Sequence, residues 1–454
     1  MDAKSKVDLN DLIDGQSVRP SIIVFLAVVT LAMAADGFDL AAMGFVGPEL
    51  VKQWHIAPAQ LAPIFTAGLI GMFIGAPLLG FLGDRLGRKR VILIAMSLYG
   101  ALTLVSMGAT SILQFEILRF LIGIGLGGMI PNILALTAEM APKRLRGTFT
   151  IISLFGVPAG IALPGVVAAL FVPTYGWPAL LLAGGLLPLA IAAIGYFVLP
   201  ESLKFLVQRG GRDEEIRRIA RTLRPDLQIG PGASFFVKNE TVAAVDRSPK
   251  RLFDRELSII TPMLWIALAA NQLTNFFTLS WLPTLLQADG LTTAQAGISS
   301  AMFSVGGMIG GLVLTFIIDR LGALPIVILF LLGVPFVALI GTPGLSAVAV
   351  AMLITCAGFS VTGNNFAINA FMVLIYPTAV RSMGAGWAQA VGRLGALAAP
   401  IVGGILLGMH LPNQQLYFVP AFSLFIGAVA SGIMVMFCVK RFRGYRLDEK
   451  AATS

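Results

Sequence analysis

The chain has 454 residues, of which 57% are hydrophobic and 12% charged, and its formal net charge is +9. Soluble domains contain roughly 25% charged residues and just under half apolar ones, so this composition excludes a soluble fold and requires lipid as the solvent for much of the chain. The positive charge does not indicate a nucleic-acid-binding protein, because the basic residues lie between long apolar segments rather than on one hydrophilic domain.

Residues 1–20 are polar and show no cleavable signal peptide, so we interpret the first apolar segment as a mature membrane helix. Both cysteines, Cys356 and Cys438, lie in apolar segments, where they offer neither a disulfide framework nor the spacing of metal ligands. We therefore expect no cofactor and no bound metal.

The rest of the chain is a series of apolar segments, each near the ~20 residues that a membrane-spanning helix needs. Six precede a long hydrophilic stretch and six follow it, at about 22–46, 60–83, 90–108, 113–140, 147–171, 178–199, 257–286, 295–318, 324–341, 346–375, 383–408 and 415–438. This pattern predicts an all-α membrane protein with twelve transmembrane helices in two six-helix halves. The predicted domains are an N-tail 1–21, an N-terminal half 22–200, a central loop 201–256, a C-terminal half 257–438 and a C-tail 439–454.

The basic residues test this count, because twelve spans place successive loops on alternate sides of the membrane. Of the 32 Lys and Arg residues, only Lys52 falls on one set of loops, while Arg119 and Arg393 fall inside spans. All the others lie on the opposite set, including the run 212–218, which we interpret as a surface helix. The positive-inside rule therefore predicts that both termini and the central loop are cytoplasmic.

The two halves resemble each other in sequence. The tetrapeptide Asp-Arg-Leu-Gly follows the second span at 84–87 and recurs after the eighth span at 319–322. Repeated six-helix halves are an architecture of transporters, with the substrate site near the middle of the membrane.

The segment 80–90, with the sequence GFLGDRLGRKR, resembles the loop signature of the major facilitator superfamily. Its glycines let two helices approach closely, and Asp84 can cap a helix or pair with a base and so latch one conformation. The alternative role for the bases of this loop is to anchor the topology. We assign gating to Gly80, Asp84, Arg85, Arg88, Glu139, Asp319 and Arg381.

Three further motifs together resemble the aromatic acid:proton symporter family. They are DGFD at 36–39, SWLPTLL at 280–286, and YPTAVR at 376–381 with GW at 386–387 and GRLG at 392–395. This resemblance covers nearly the whole chain and implies import of benzoates, hydroxybenzoates or related ring acids together with protons. It does not select one substrate.

Asp36 and Asp39 lie three residues apart in the first span, so they share one face of the helix. An acid inside a span is costly and usually faces a cavity, and burial beside a like charge favours the protonated form. We assign proton coupling to this pair, which also matches the first-span acids of the resembled family. Which of the two takes the proton stays open, as does the alternative that a fixed Arg neutralises them.

Arg119, early in the fourth span, is either a clamp for the substrate carboxylate, a partner for Asp36 or Asp39, or an arginine that extends to the membrane surface. The glycines at 123–128 lie inside an apolar span and therefore predict helix packing rather than a dinucleotide site. Near the cytoplasmic end of the same span, Glu139 is predicted to pair with Arg85 or Arg146, or else to be an interfacial acid.

Aromatic and amide side chains in both halves would bind an aromatic acid, with the aromatic side chains contacting the ring and the amides forming hydrogen bonds with ring hydroxyls. The alternative is that most of the 30 Phe residues face lipid or core. Arg381 follows the tenth span as a cytoplasmic anchor, and Arg393 is an intramembrane base. We assign substrate binding to Phe38, Arg119, Asn275, Trp281, Asn364, Asn365, Trp387 and Arg393.

The sequence therefore predicts a monomeric, multi-pass transporter of the cell inner membrane that takes aromatic carboxylates and protons as its ligands, and that binds no nucleic acid. One alternative is a carrier of the same superfamily for another small organic anion, or an exporter. A membrane sensor would need a larger soluble output domain than the C-tail of about 15 residues. A hydrolase would need a base, and neither His lies in a span, so we expect no enzyme.

Overall fold

The computed structural model describes residues 6–17, 19–227, 233–236, 252–254, 257–376, 380–409 and 411–442. Sixteen α-helices, three 3-10 helices of three residues each and one pair of three-residue strands make up the regular structure of these residues. In chain order the elements are β1 Lys6–Asp8, α1 Leu9–Asp14, α2 Pro20–Trp54, α3 Leu61–Leu86, α4 Arg88–Val105, α5 Ile112–Gly127, α6 Met129–Met140, α7 Arg146–Tyr175, α8 Pro178–Val198, α9 Leu203–Arg209, α10 Asp213–Leu223, β2 Ser234–Phe236, α11 Ile260–Ala288, α12 Thr293–Leu321, α13 Leu324–Leu339, α14 Ala347–Ile375, α15 Arg381–Gly408 and α16 Asn413–Phe442.

Ten helical segments of the described chain are long and apolar enough to cross a membrane, and α13 is a shorter apolar helix. The longer α11 carries the amides Asn271, Gln272 and Asn275 within its 29 residues. The prediction of an all-helical, multi-pass membrane protein is confirmed at this level. The count of twelve spans and the side of the termini stay predictions.

The chain forms two compact units. The first unit comprises Met1–Asp39, Ala67–Gly160 and Leu181–Ala243, and the second comprises Leu40–Thr66, Ile161–Leu180 and Ala244–Ser454. The predicted halves 22–200 and 257–438 follow the sequence repeat and stay a prediction.

Glycines in α3 and α5 allow these helices of the first unit to pack backbone against backbone. A Cβ atom built on Gly75 would overlap the carbonyl oxygen of Ile124, and one built on Gly127 would overlap the backbone of Met72. Side chains larger than hydrogen would therefore separate α3 from α5. The interpretation of the 123–128 glycines as packing residues is confirmed.

The polar N-tail folds onto the first unit. β1 pairs in parallel with β2, and the apolar side chains of α1, Leu9, Leu12 and Ile13, are all buried. Gln16 Nε2 donates a 2.7 Å hydrogen bond to the carbonyl of Met140 at the end of α6. The predicted surface helix is α10, whose apolar face is buried and whose charged face is mostly exposed.

Candidate functional site

The two acids of α2 and the arginine of α5 meet inside the first unit. Asp36, Asp39 and Arg119 are 0%, 1% and 5% exposed. Arg119 Nη1 donates to Asp39 Oδ1 at 3.0 Å and Nη2 donates to Asp39 Oδ2 at 2.7 Å. This two-bond geometry is the strongest that a guanidinium and a carboxylate can form. The structure thus makes Arg119 the partner of Asp39, buried rather than extended toward the membrane surface.

Asp36 lies one turn before Asp39 and has a different environment. Neither of its carboxyl oxygens has a hydrogen-bond partner within the described part of the chain. On α4, Tyr99 is fully buried, its hydroxyl also lacks a partner there, and it interacts electrostatically with both acids. An isolated buried carboxylate is very unfavourable in its ionised form, whereas a paired one is compensated. The pair therefore consists of one neutralised carboxylate and one that is most stable when protonated.

Phe38 lies between the two acids in sequence but points to a different neighbour. It is 2% exposed, and a Cβ atom built on Gly184 of α8 would lie 3.2 Å from its ring. Phe38 is thus packed between helices of the first unit, and its predicted role in substrate binding stays a prediction.

The end of α3 and the start of α4 form a polar cluster with α6. Asp84 is mostly exposed and pairs with Arg88 one turn later. Arg88 Nη1 donates to Asn132 Oδ1 at 3.4 Å, and its Nε lies 4.0 Å from Glu139 Oε1. The base next to Glu139 is therefore Arg88, and not Arg85 or Arg146 as expected.

The remaining residues assigned to gating have separate surroundings. Among the described residues, nothing lies within 4 Å of a Cβ atom built on Gly80. Arg85 lies over the ring of Phe81 at 4.2 Å. In the second unit, Arg381 Nε donates to the carbonyl of Tyr376 at 3.2 Å. The side chain of Asp319 lies outside the described residues.

A row of amides connects three helices of the second unit. Asn365 Nδ2 on α14 donates to Gln272 Oε1 on α11 at 2.6 Å. Asn369 Nδ2 donates to Asn365 Oδ1 at 2.8 Å, and Gln389 Nε2 on α15 donates to Asn369 Oδ1 at 2.6 Å. We call these four residues the amide row. All four are half-buried, so they combine fixed geometry with access to a ligand.

Three other residues predicted to bind the substrate lie on α11 and α14. Asn275 Oδ1 accepts a 3.4 Å hydrogen bond from Thr362. Asn364 is fully buried and donates to the carbonyl of Ile326 at 3.3 Å, while its Oδ1 has no partner in the described chain. Trp281 is also fully buried, with its ring edge-on to Phe65 at 5.2 Å between centroids. Trp281 is thus a core residue of the second unit.

Two residues of α15 complete the predicted set. Trp387 is half exposed and stacks on Trp265 with 6.3 Å between ring centroids. Arg393 is exposed, and within the described residues it has neither an ion pair nor a side-chain hydrogen bond. It lies four residues after Gln389, so the two share one face of α15. An arginine inside a span with no carboxylate partner is available to an anionic ligand.

Two residues at these sites were missed by the sequence analysis, Tyr99 and Asn132. Asn132 is fully buried in α6, donates to the carbonyls of Leu79 and Gly128, and accepts from Arg88. Each is a polar group inside an apolar span, and this was the available signal.

Comparison with known proteins gives consistent matches along the chain. The sequence profile of the Major Facilitator Superfamily matches residues 29–400 and 264–451. A gallate transporter from Pseudomonas putida is 34% identical over 94% of this chain and 95% of its own length. A 4-hydroxybenzoate transporter from Pseudomonas aeruginosa is 34% identical, with 91% and 92% covered. A benzoate transport protein from Acinetobacter baylyi is 31% identical, with 97% and 94% covered.

Solved structures agree on the fold. The inward-open xylose transporter from E. coli matches with a TM-score of 0.68 at 20% identity, covering 92% of this chain and 96% of that one. A bacterial homolog of the human lysosomal transporter Spinster matches with a TM-score of 0.66 at 15% identity, covering 96% and 99%.

Proposed function

Because this chain belongs to the major facilitator superfamily, we propose that it is a proton-coupled importer of aromatic carboxylates of the benzoate or hydroxybenzoate type. The relatives at 31–34% identity, named as gallate, 4-hydroxybenzoate and benzoate transporters, support this substrate class. The matched family consists of transporters, which agrees with the expectation that the chain is not an enzyme.

The proposed arrangement in the membrane is twelve spans with both termini in the cytoplasm. Its support is the near absence of Lys and Arg from one set of loops and the bacterial origin of the relatives, which favours the inner membrane. In this arrangement the cluster of Asp84, Arg88 and Glu139 faces the cytoplasm, where breaking or forming its ion pairs would accompany alternating access.

The observation that carries the proton-coupling proposal is the difference between the two acids of α2. Asp39 accepts two hydrogen bonds from Arg119, so its carboxylate already has a fixed partner. Asp36 is buried with no partner in the described chain, so it binds a proton when its environment is dry and releases it when water reaches it. We therefore assign the transported proton to Asp36.

The proposed substrate surface in the second unit is the amide row together with Arg393 and Trp387. The guanidinium of Arg393 would bind the carboxylate, since Arg matches the geometry of that group. The amides of Asn365, Asn369 and Gln389 would meet ring hydroxyls, and the exposed face of Trp387 would contact the ring. With one proton for each monoanion no net charge moves and the pH gradient alone would drive the cycle, whereas a second proton would add the membrane potential.

The test is uptake of radiolabelled 4-hydroxybenzoate by proteoliposomes with an imposed pH gradient, acid outside. We expect accumulation that is abolished by a protonophore and inhibited by excess benzoate or gallate, but not by excess glucose. Uptake that is indifferent to the pH gradient would refute proton coupling. Inhibition by glucose rather than by ring acids would refute the substrate class.

A further inference from the structure

A cavity of about 730 Å³ lies in the first unit, where the ends of α2, α4 and α8 meet the surface helix α10. Its volume falls within the roughly 300–1,000 Å³ of ligand-binding cavities. None of its lining residues belongs to the acid pair, the amide row or the cluster around Asp84. The transport cycle proposed above therefore leaves this cavity without a role.

One wall of the cavity is apolar and lies at the end of the membrane-spanning segments. Ile22, Phe25 and Leu93 line it from α2 and α4. At the end of α8, the lining residues Tyr196 and Phe197 are 65% and 84% exposed. Aromatic side chains at the ends of spans lie at the depth of lipid headgroups, so the cavity lies at the boundary between acyl chains and water.

The lining also carries four cations, Lys89, Arg90, Arg212 and Arg218, and two acids, Glu201 and Glu215. Both acids already accept hydrogen bonds from other groups of the protein. Glu215 accepts a 3.1 Å hydrogen bond from Arg212. Glu201 accepts from the backbone N–H groups of Lys89 at 3.1 Å and Ser202 at 3.0 Å.

The remaining cations are poorly compensated. Within the described chain, neither Arg90 nor Arg218 has an ion pair or a side-chain hydrogen bond. Lys89 Nζ donates to the carbonyl of Tyr196 at 2.8 Å, and Lys89 and Arg218 lie close enough to repel each other electrostatically. An anion between these groups would relieve that repulsion and use the free guanidinium donors.

We propose that this cavity binds an anionic phospholipid, with the phosphate of the headgroup facing Arg90 and Arg218 and the first acyl carbons against Ile22, Phe25 and Leu93. Basic pockets beside membrane helices bind such headgroups. Free inorganic phosphate shares the anionic chemistry but would leave the apolar wall uncovered, so the phospholipid fits both walls.

The test compares lipid binding to the full-length protein in detergent, measured by native mass spectrometry with phosphatidylglycerol and with phosphatidylcholine of identical acyl chains. The variant Arg90→Gln/Arg218→Gln removes two cations of the lining without breaking an ion pair or a side-chain hydrogen bond between described residues. Arg221→Gln is the matched control, because Arg221 is an exposed arginine of α10 outside the cavity lining. Arg90→Lys/Arg218→Lys keeps the charge.

We expect phosphatidylglycerol to bind the wild type in preference to phosphatidylcholine. At about 1 kcal/mol for each basic residue, the double Gln variant should bind it roughly 30-fold more weakly. The Arg221→Gln and double Lys variants should stay within a few-fold of the wild type. If the double Gln variant does not fold, the single variant Arg218→Gln replaces it, with an expected loss of about fivefold.

Three results would overturn the proposal. They are equal binding of phosphatidylglycerol by the Gln variants and the wild type, equal binding of both lipids by the wild type, and displacement of bound phosphatidylglycerol by millimolar inorganic phosphate.

Discussion

Arg119 binds Asp39 through both of its terminal nitrogens, at 3.0 and 2.7 Å, while Asp36 on the same helix face has no hydrogen-bond partner in the described chain. A single arginine thus makes two neighbouring acids chemically different. Asp39 compensates the fixed positive charge of Arg119, and Asp36 is the acid that can bind and release a proton.

Replacing Asp36 by Asn should uncouple transport from the proton gradient, because the amide imitates the protonated acid and cannot release a proton. In proteoliposomes with a gradient of one pH unit, one-proton symport of a monoanion can reach about tenfold accumulation. For Asp36→Asn we expect a ratio near one, with exchange of internal for external substrate retained. The control is Asp289→Asn, an acid outside the spans, which should accumulate substrate normally. Tenfold accumulation by Asp36→Asn would rule out Asp36 as the proton carrier.

Replacing Arg119 by Gln should destabilise the protein, because the buried charge of Asp39 is left uncompensated. Breaking a buried ion pair from one side costs about 3–5 kcal/mol. We expect a clear fall in the thermal unfolding midpoint, and its partial recovery in the double variant Asp39→Asn/Arg119→Gln, which removes both charges. Midpoints measured in detergent for the four proteins of this cycle give the coupling between the residues. Additive effects would mean that the two side chains do not act as a pair.

Replacing Arg393 by Gln should weaken binding of the ring acid, since this arginine is proposed to bind the carboxylate. Loss of a charge-assisted hydrogen bond of about 1.5–3 kcal/mol predicts a rise in KM of roughly 10- to 150-fold. Arg393→Lys should recover part of it, because it keeps the charge without the planar donor pair. Uptake measured over a range of substrate concentrations separates KM from the maximal rate. An unchanged KM in Arg393→Gln would place the carboxylate elsewhere.

Replacing Asp84 by Asn should slow transport without changing substrate affinity, because Asp84 pairs with Arg88 in the proposed cytoplasmic gate. The side chain of Asp84 is 65% exposed, whereas that of Arg88 is 17% exposed. Because the replaced acid is the exposed member of the pair, we expect little change in stability, within about 1 kcal/mol. The matched control is Asp213→Asn, an exposed acid in the first turn of α10. A lower maximal rate at constant KM is the expected result. A normal rate would remove Asp84 from the gate.

Asp289 follows α11, and its protonation should make the stability of the folded protein depend on pH. Partial burial raises its pKa above the ordinary value, although Asn413 and Tyr417 donate hydrogen bonds that lower it. A raised pKa means that the folded protein binds the proton more tightly than the unfolded chain. The stabilisation that comes from tighter proton binding by Asp289 is therefore fully present below the unfolded pKa of about 3.9. It is lost as pH rises through the pKa of Asp289 in the folded protein. Asp289→Asn should flatten this slope in thermal unfolding between pH 4 and 7. An unchanged slope would contradict it.

The helical, membrane-spanning architecture was predictable because the lipid solvent leaves few options: long apolar segments must form helices that satisfy their own backbone hydrogen bonds. The sequence also indicated Asp36, Asp39 and Arg119 as a group, since ionisable residues inside spans are costly. Which acid pairs with Arg119 was not predictable. It depends on the rotation of α5 against α2, and a sequence contains spacing within a helix but not the angle between two helices.

The predicted fourth span, about 113–140, corresponds to one apolar segment of the structure, Ile112–Met140. Within it, the single residue Gly128 lies between α5 and α6, and a Cβ atom there would overlap the side chain of Leu79. Apolar composition continues across this point, so hydropathy could not indicate the close approach of Leu79. The same limit applies to Arg88 and Glu139, whose contact depends on how α6 lies beside the start of α4.

The parallel pairing of β1 with β2 has a consequence for biosynthesis. Lys6 is synthesised more than 200 residues before its partner Ser234. At about 5–20 residues per second, this strand waits some 10 to 45 seconds for its partner. During that interval the apolar side chains of Leu9, Leu12 and Ile13 lack the contacts that α10 later makes with α1, so this part of the core closes only after α10 has been synthesised.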